Sequence, residues 1–210
     1  VSPAVTGVVH GVTTPTGQNA YPGMAKFADT DGNMLVDDAD YTIIGNMNAK
    51  FTGGFNINAR VYGFDLGLNF NWSVGNDIYN ASKIEMIGMY TGGNQIKDAV
   101  RRWRIPGQVT DIPKAGELDN LRASTRWIED GSYLKVKNIT LSYDITHPAL
   151  KKANIARIQP YVTLDNMITF TNYSGYDPEM SQYTSATSMG IDWGTYPCVR
   201  SVVFGVNIDF

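Results

Sequence analysis

The chain has 210 residues, a formal charge of −3 and a charged fraction of only 18%, while 11% of its residues are aromatic and 21 are glycine. A near-neutral charge without long lysine or arginine runs argues against a nucleic-acid-binding protein. The single cysteine, Cys198, rules out an intrachain disulfide and cysteine-based zinc clusters.

The first distinctive segment is acidic and spans residues 29–40. Its spacing is that of a twelve-residue calcium loop, in which alternate positions supply the oxygen ligands that calcium requires. The predicted ligands are Asp29, Asp31, Asn33, the Leu35 carbonyl, Asp37 and Asp40. The segment departs from that loop at position six, where Met34 replaces the usual glycine, and at position twelve, where Asp40 replaces the usual glutamate. The residues therefore predict either a calcium site or an acidic surface loop held by Asx turns.

Apolar and polar residues then alternate with a period of two, which predicts β-strands of about ten residues with one apolar face. The predicted strands are 53–62, 64–73, 133–145, 157–170 and 199–210. The first two are expected to form a β-hairpin around Tyr62 and Gly63. A one-residue phase slip near Lys137 and Asn138 indicates a β-bulge in the third.

The predicted connections alternate between long and short. Residues 1–52, 74–132 and 171–197 form long loops, whereas Tyr62-Gly63 and residues 144–156 are short connections, so all long loops leave the sheet at one end. This arrangement, with aromatic residues near the strand ends, is typical of a transmembrane β-barrel wall. A soluble β-sandwich shows the same alternation and is the rival interpretation. Five strands cannot close a barrel alone, since the smallest has about eight.

Aromatic residues in the long loops are candidates to stack on sugar rings or to contact a peptide, although they also suit packing between loops. They are Trp103, Trp127, Tyr176, Tyr183, Trp193 and Tyr196. The sequence contains no nucleophile elbow, P-loop, dinucleotide fingerprint or zinc-protease motif, and we therefore predict that it is not an enzyme.

A series of short motifs also occurs in a characteristic order. They are the acidic run 29–40 and residues 42–46, 63–66, 75–80, 129–138, 174–179, 190–192 and 196–197. In this order they resemble the SusC/RagA family of TonB-dependent outer-membrane transporters from Bacteroidetes-type bacteria. The resemblance covers nearly the whole chain from about residue 20. It implies that this chain is the C-terminal part of such a transporter. The start at Val1, without an initiator methionine, suggests a mature product or a piece of a longer protein.

The resemblance implies an all-β fold, in which about five terminal strands belong to a transmembrane barrel of about 22 strands with a plugged lumen. The long loops would be extracellular and the short turns periplasmic. The implied lumen-facing residues are Asn56, Asn58, Arg60, Asp65, Asn69, Asn71, Asn207 and Asp209. The implied lipid-facing residues are Phe55, Ile57, Val61, Leu66, Leu68, Phe70, Phe204, Val206 and Ile208.

The function that the resemblance implies is import of large nutrients, glycans or peptides, across the outer membrane of a Gram-negative bacterium. The implied partners are the plug and the other barrel strands, a SusD-like surface lipoprotein, outer-membrane lipid, and TonB through the missing N-terminal part. Calcium is the one cofactor that the residues suggest. The alternative function is a secreted, soluble β-rich module that binds glycan through its aromatic loops and a calcium loop.

The C-terminus carries one more candidate feature. Gly205, Ile208 and Phe210 are spaced like the signal that outer-membrane barrel proteins present to their assembly machinery. The last strand is an unpaired edge until the barrel closes, and such an edge is a template for another strand. Val203 departs from this signal, in which a polar residue is usual at that position. The alternative interpretation is a final β-strand that merely happens to end in phenylalanine.

Overall fold

A computed structural model describes residues 22–33, 36–152, 154–179 and 189–210. The chain divides into two compact units, each built from three segments. The first unit contains the described residues within Val1–Met47, Asp77–Glu129 and Ser181–Gly194. The second contains those within Asn48–Asn76, Asp130–Met180 and Thr195–Phe210.

The regular elements are mostly strands. In chain order the strands are β1 (Phe51–Val61), β2 (Phe64–Val74), β3 (Asp77–Asn80), β4 (Ile128–Asp130), β5 (Tyr133–Tyr143), β6 (Arg157–Thr171), β7 (Ile191–Asp192) and β8 (Ser201–Asp209). The helices are α1 (Ala81–Gly88) and α2 (Pro148–Lys151), and short 3-10 turns cover Asp38–Asp40, Lys97–Arg101, Leu118–Leu121 and Thr125–Trp127. Among the described residues, no helix is long and apolar enough to cross a membrane.

The second unit is an antiparallel sheet with the strand order β1-β2-β5-β6-β8. Its register aligns like residues across all five strands. One apolar row is Ile57, Leu68, Ile139, Leu164 and Val202, and the adjacent polar row is Asn56, Asn69, Asn138, Asp165 and Ser201. Because side chains alternate between faces along a strand, the apolar and polar rows lie on opposite faces of the sheet.

The turns and the bulge of this sheet follow from local sequence. Tyr62 and Gly63 both have positive φ, 50° and 86°, which is the geometry of a two-residue turn that matches the twist of a hairpin. The pairing of β5 shifts register between Val136 and Asn138, which places Lys137 in a bulge and confirms the predicted phase slip.

Aromatic rings on two strands lie against glycines of their neighbours. A Cβ at Gly205 would lie 2.3 Å from the Tyr161 ring, and one at Gly53 would lie 2.5 Å from the Trp72 ring. Tyr161 and Gly205 are paired across β6 and β8, and Gly53 and Trp72 across β1 and β2. Glycine at these positions therefore makes room for the ring that covers it.

The first unit gives regular structure to segments that the sequence predicted only as loops. It contains α1, the short turns and a small sheet in the order β4-β3-β7. The Asn80 side chain caps α1 by accepting a hydrogen bond of 3.1 Å from the Lys83 amide. The core of this unit includes Met24, Ala25, Ile78, Ala81, Ile87, Ala99, Ile112 and Trp127.

We expect Gly205→Ala to destabilise the folded sheet by about 1–3 kcal/mol, because the new methyl group overlaps the Tyr161 ring. The measurement is the thermal unfolding midpoint of the purified full-length protein. Gly67→Ala is the matched control on the same face, since a Cβ there meets nothing closer than 3.4 Å. Equal midpoints for the two variants would contradict the role of the ring.

Candidate functional site

The polar face of the five-stranded sheet carries a hydrogen-bonded row of side chains. The Asn69 amide donates to Asn138 Oδ1 at 3.4 Å, and the Asn138 amide donates to Asp165 Oδ1 at 2.8 Å. The Ser201 hydroxyl donates to the other Asp165 oxygen at 2.8 Å. The row thus links β2, β5, β6 and β8 through side chains as well as through the backbone.

A second polar row lies nearer the Tyr62-Gly63 turn and consists of charges of alternating sign. Arg60 pairs with Asp65 at 3.3 Å and also with Asp144. Arg157 pairs with Asp144 at 3.3 Å and with Asp209 at 2.8 Å. Exposed ion pairs contribute little one by one, but this chain of pairs joins all five strands at their short-turn end.

Around Gly67 this face forms an open hollow of about 430 Å³. Its lining includes the predicted residues Asn58, Arg60, Asp65 and Asn69. The register places the other four predicted lumen residues, Asn56, Asn71, Asn207 and Asp209, on the same face. The surface therefore offers amides, hydroxyls and paired charges, which suit a hydrated and polar ligand better than an apolar one.

Three carboxylates of the acidic segment converge. Asp29, Asp31 and Asp40 offer oxygens that all lie within 4.8 Å of one another. Asp40 accepts backbone N–H bonds from Asp37 at 2.9 Å and Thr30 at 2.5 Å, and these bonds hold the pKa of its carboxyl below the usual range. This oxygen-rich donor set is the kind that calcium prefers.

The other predicted ligands of that segment have different environments. Asp37 accepts the Ala39 amide at 2.8 Å and so caps the short turn Asp38–Asp40. The Asn33 amide donates to Asp31 Oδ2 at 2.9 Å. Leu35 lies outside the described residues. Local Asx-type hydrogen bonds therefore hold the segment, as its alternative interpretation expects, alongside the convergence of the three carboxylates.

The loop aromatics divide into buried and exposed residues. Trp127 is only 1% exposed and its indole N–H donates to the Arg122 carbonyl at 2.8 Å, so it is a core residue and cannot contact a ligand as predicted. Trp103 is half-buried against Gly23. The exposed residues are Tyr176, Trp193 and Tyr196, and Tyr183 lies outside the described part of the chain.

The C-terminal candidates also differ from one another. Gly205 lies beneath the Tyr161 ring, which gives the glycine a packing role in the folded sheet. Ile208 and Phe210 are exposed, and Ile208 lies on the apolar face opposite Ile158.

Five residues of the polar rows were not predicted as site residues, namely Asn138, Asp144, Arg157, Asp165 and Ser201. Arg157 and Asp165 lie on β6 in the same phase as its other polar-face residues, so extending the period-two analysis along that strand finds them. Asp144 lies in the turn after β5, and its partners become evident only from the folded register.

Comparison with known proteins identifies relatives of this chain. No family model matches the chain. TonB-dependent receptor P3 of Formosa agariphila is 35% identical over 214 residues, which cover 97% of this chain and 21% of that receptor. TonB-dependent receptor SusC of Bacteroides thetaiotaomicron is 22% identical over 201 residues, which cover 92% of this chain and 18% of SusC.

A solved structure described as the RagAB peptide transporter aligns with a TM-score of 0.68 and 26% identity, covering 80% of this chain and 18% of the matched chain. The chain belongs to the SusC/RagA family of TonB-dependent receptors. Its sheet is therefore part of the transmembrane β-barrel of this family, in the C-terminal region, and the predicted fold class is confirmed. It spans about a fifth of the length of the relatives that it matches.

In a SusC/RagA barrel the edge strands of this sheet need further neighbours. Within the residues described, β1 pairs only with β2 and β8 only with β6 in this sheet. The relatives are named as receptors and a transporter. The polar rows are the feature of this sheet for which we seek a function.

Proposed function

We propose that this chain forms part of the wall of an outer-membrane importer for large nutrients, with its polar face toward the passage and its apolar face toward lipid. The observation that carries this proposal is the exposure of large side chains along the apolar face of the sheet. Ile57, Ile168 and Phe204 are 46%, 43% and 78% exposed, and Val136 is a buried exception at 7%. A soluble domain buries such residues, whereas a membrane wall presents them to hydrocarbon.

The same observation disfavours the secreted β-sandwich. A sandwich packs the apolar faces of two sheets against each other about 10 Å apart, which would bury residues such as Phe55 and Val206. In the described chain these side chains are 44% and 57% exposed.

The chemistry of the polar face supports a cargo rich in hydroxyl or amide groups. Its central row consists of amides, a hydroxyl and the Asp165 carboxylate, which already accepts hydrogen bonds from Asn138 and Ser201. The arginines nearer the turn already pair with carboxylates. Glycans and peptides both carry such neutral polar groups in quantity. We therefore retain both as the substrate class.

The long connections leave the sheet at the end opposite the Tyr62-Gly63 turn, and this end supports contact with a partner. Tyr176 and Tyr196 lie in the loop between β6 and β8 and are 72% and 77% exposed. In the proposal this end is extracellular and meets a SusD-like surface lipoprotein. TonB acts through the remainder of the receptor, which also supplies the plug and the other strands.

The acidic segment is proposed to bind calcium through Asp29, Asp31 and Asp40. The convergence of their carboxylates supports the proposal, because close negative charges repel one another unless a cation or hydrogen bonds offset them. Bound calcium would cross-link these carboxylates and stiffen the segment.

The lipid-facing assignment predicts that Leu68→Arg destabilises the full-length receptor by about 2–4 kcal/mol, because Leu68 is near the middle of β2. Asn69→Arg is the matched control on the opposite face and should be mild. Urea unfolding of both variants in lipid vesicles measures the difference. Equal losses at the two positions would refute the assignment.

The orientation predicts that a photoreactive residue at position 196 of the full-length receptor crosslinks to a surface lipoprotein in intact cells. The same residue at position 62 is the control, since Tyr62 is 95% exposed but lies at the short-turn end. Mass spectrometry identifies the adducts. Crosslinks from position 196 to periplasmic proteins alone would contradict the proposal.

The calcium proposal predicts that chelation with EGTA accelerates proteolysis within residues 29–40 of the full-length receptor. The variant Asp29→Asn with Asp31→Asn should be cleaved rapidly with or without calcium, because two of the converging carboxylates are gone. Identical cleavage of the unmodified receptor with and without EGTA would mean that hydrogen bonds alone hold the segment.

A further inference from the structure

A buried ion-pair cluster lies on the polar face of β5 in the second unit. The Lys135 side chain is 1% exposed, and its ammonium donates to both oxygens of Asp177 at 3.0 and 3.2 Å. It also donates to Glu179 Oε2 at 2.7 Å. A lysine buried to this extent strongly destabilises the fold unless carboxylates pair with it. Asp177 and Glu179 are therefore needed to neutralise Lys135 on β5.

Asp177 also binds backbone from both ends of the loop that joins β6 to β8. Its Oδ1 accepts the Glu179 amide at 3.1 Å, and its Oδ2 accepts the Cys198 amide at 3.1 Å. Asp177 and Glu179 follow β6, whereas Cys198 precedes β8. One carboxylate, held by Lys135, therefore joins the beginning and the end of the loop.

The chain between β6 and the cluster is itself tightly folded. The Thr171 hydroxyl donates to the Ser132 carbonyl at 2.8 Å and accepts the Tyr173 amide at 3.1 Å. Tyr173 is 6% exposed, and a Cβ at Gly175 would lie 2.3 Å from its ring. The segment that leads from β6 to Asp177 is thus held by hydrogen bonds and by packing around Tyr173.

The carboxylates remain ionised despite their burial. Burial disfavours the charged form of Asp177, but the Glu179 amide, the Lys135 ammonium and the Cys198 amide outweigh it and hold its pKa below the usual range. Burial opposes ionisation of Glu179 as well, and Lys135 and Lys137 lower its pKa. Two lysines thus balance two carboxylates.

Asp177, Glu179 and Cys198 also offer atoms within 4.8 Å of one another, which raises the question of a metal ion. The Lys135 ammonium is already bonded to both carboxylates and is the cation that neutralises them. The cluster is therefore better explained as a structural ion-pair cluster than as a metal site.

We propose that Lys135, Asp177 and Glu179 form an ion-pair clamp that closes the base of the β6–β8 loop against the barrel wall. Through Asp177 the clamp fixes Cys198, so both ends of the loop are held at one point on β5. Tyr176 lies directly beside the clamp, and Tyr196 lies two residues before Cys198. If the proposed function is correct, the clamp keeps both exposed tyrosines in place for the partner, although the clamp itself does not depend on that function.

The test is hydrogen exchange of the full-length receptor in lipid nanodiscs, with Lys135→Met compared with the unmodified protein. We expect the amides of Glu179 and Cys198, both of which donate to Asp177, to exchange at least about tenfold faster, while amides within β5 and β6 keep their protection. Lys137→Met is the matched control. Lys137 is 44% exposed and, within the described part of the chain, its ion pair is with Glu179 alone, so its loss should leave Cys198 protected.

A second variant covers the case in which Lys135→Met does not fold. Lys135→Met combined with Asp177→Leu replaces the central pair with apolar residues, a change that folded proteins often tolerate. It should likewise expose the Cys198 amide to exchange. Unmodified exchange rates at Cys198 in a folded Lys135 variant, or equal acceleration by Lys137→Met, would overturn the clamp. Neither outcome bears on transport, so the result is separable from the proposed function.

Discussion

Side-chain alternation in register across five antiparallel strands is the constraint on which this part of the barrel depends. The central rows of the sheet are matched from strand to strand, as in the apolar row that runs from Ile57 to Val202 beside the polar row that runs from Asn56 to Ser201. A slip of one residue in any strand would transfer its apolar side chains to the polar face. The bulge at Lys137 and the rings over Gly53 and Gly205 are local features that fit this register.

Charged residues on the polar face serve two different purposes. In the row around Arg60 and Arg157 the arginine side chains are 63% and 36% exposed, so their pairs are weak individually and act mainly by linking strands, even though their shared partner Asp144 is only 7% exposed. Lys135 is fully buried, and the loss of one partner there would leave an uncompensated charge. Burial, rather than the number of ion pairs, thus distinguishes a surface network from the clamp that holds a loop.

The sheet could be predicted from sequence because its pattern is long and regular, and the Tyr62-Gly63 turn and the bulge both interrupt that pattern recognisably. The first unit could not, since α1 and the short turns depend on caps such as Asn80 and on packing around Trp127 rather than on periodicity. The aromatic character of Trp127 suggested a ligand contact, but only the fold shows that it is buried. Likewise the partners of Lys135 lie more than 40 residues away, and pattern alone does not pair them.

The most direct test of the central claim, that the two faces of this sheet meet lipid and water respectively, is spin-label accessibility along β2. Nitroxides are placed one at a time at residues 65–71 of the full-length receptor in lipid vesicles, with native cysteines replaced. The account predicts that collisions with oxygen peak at 66, 68 and 70, and that collisions with a water-soluble nickel complex peak at 65, 67, 69 and 71. Equal access of the nickel complex to both sets of positions would contradict it.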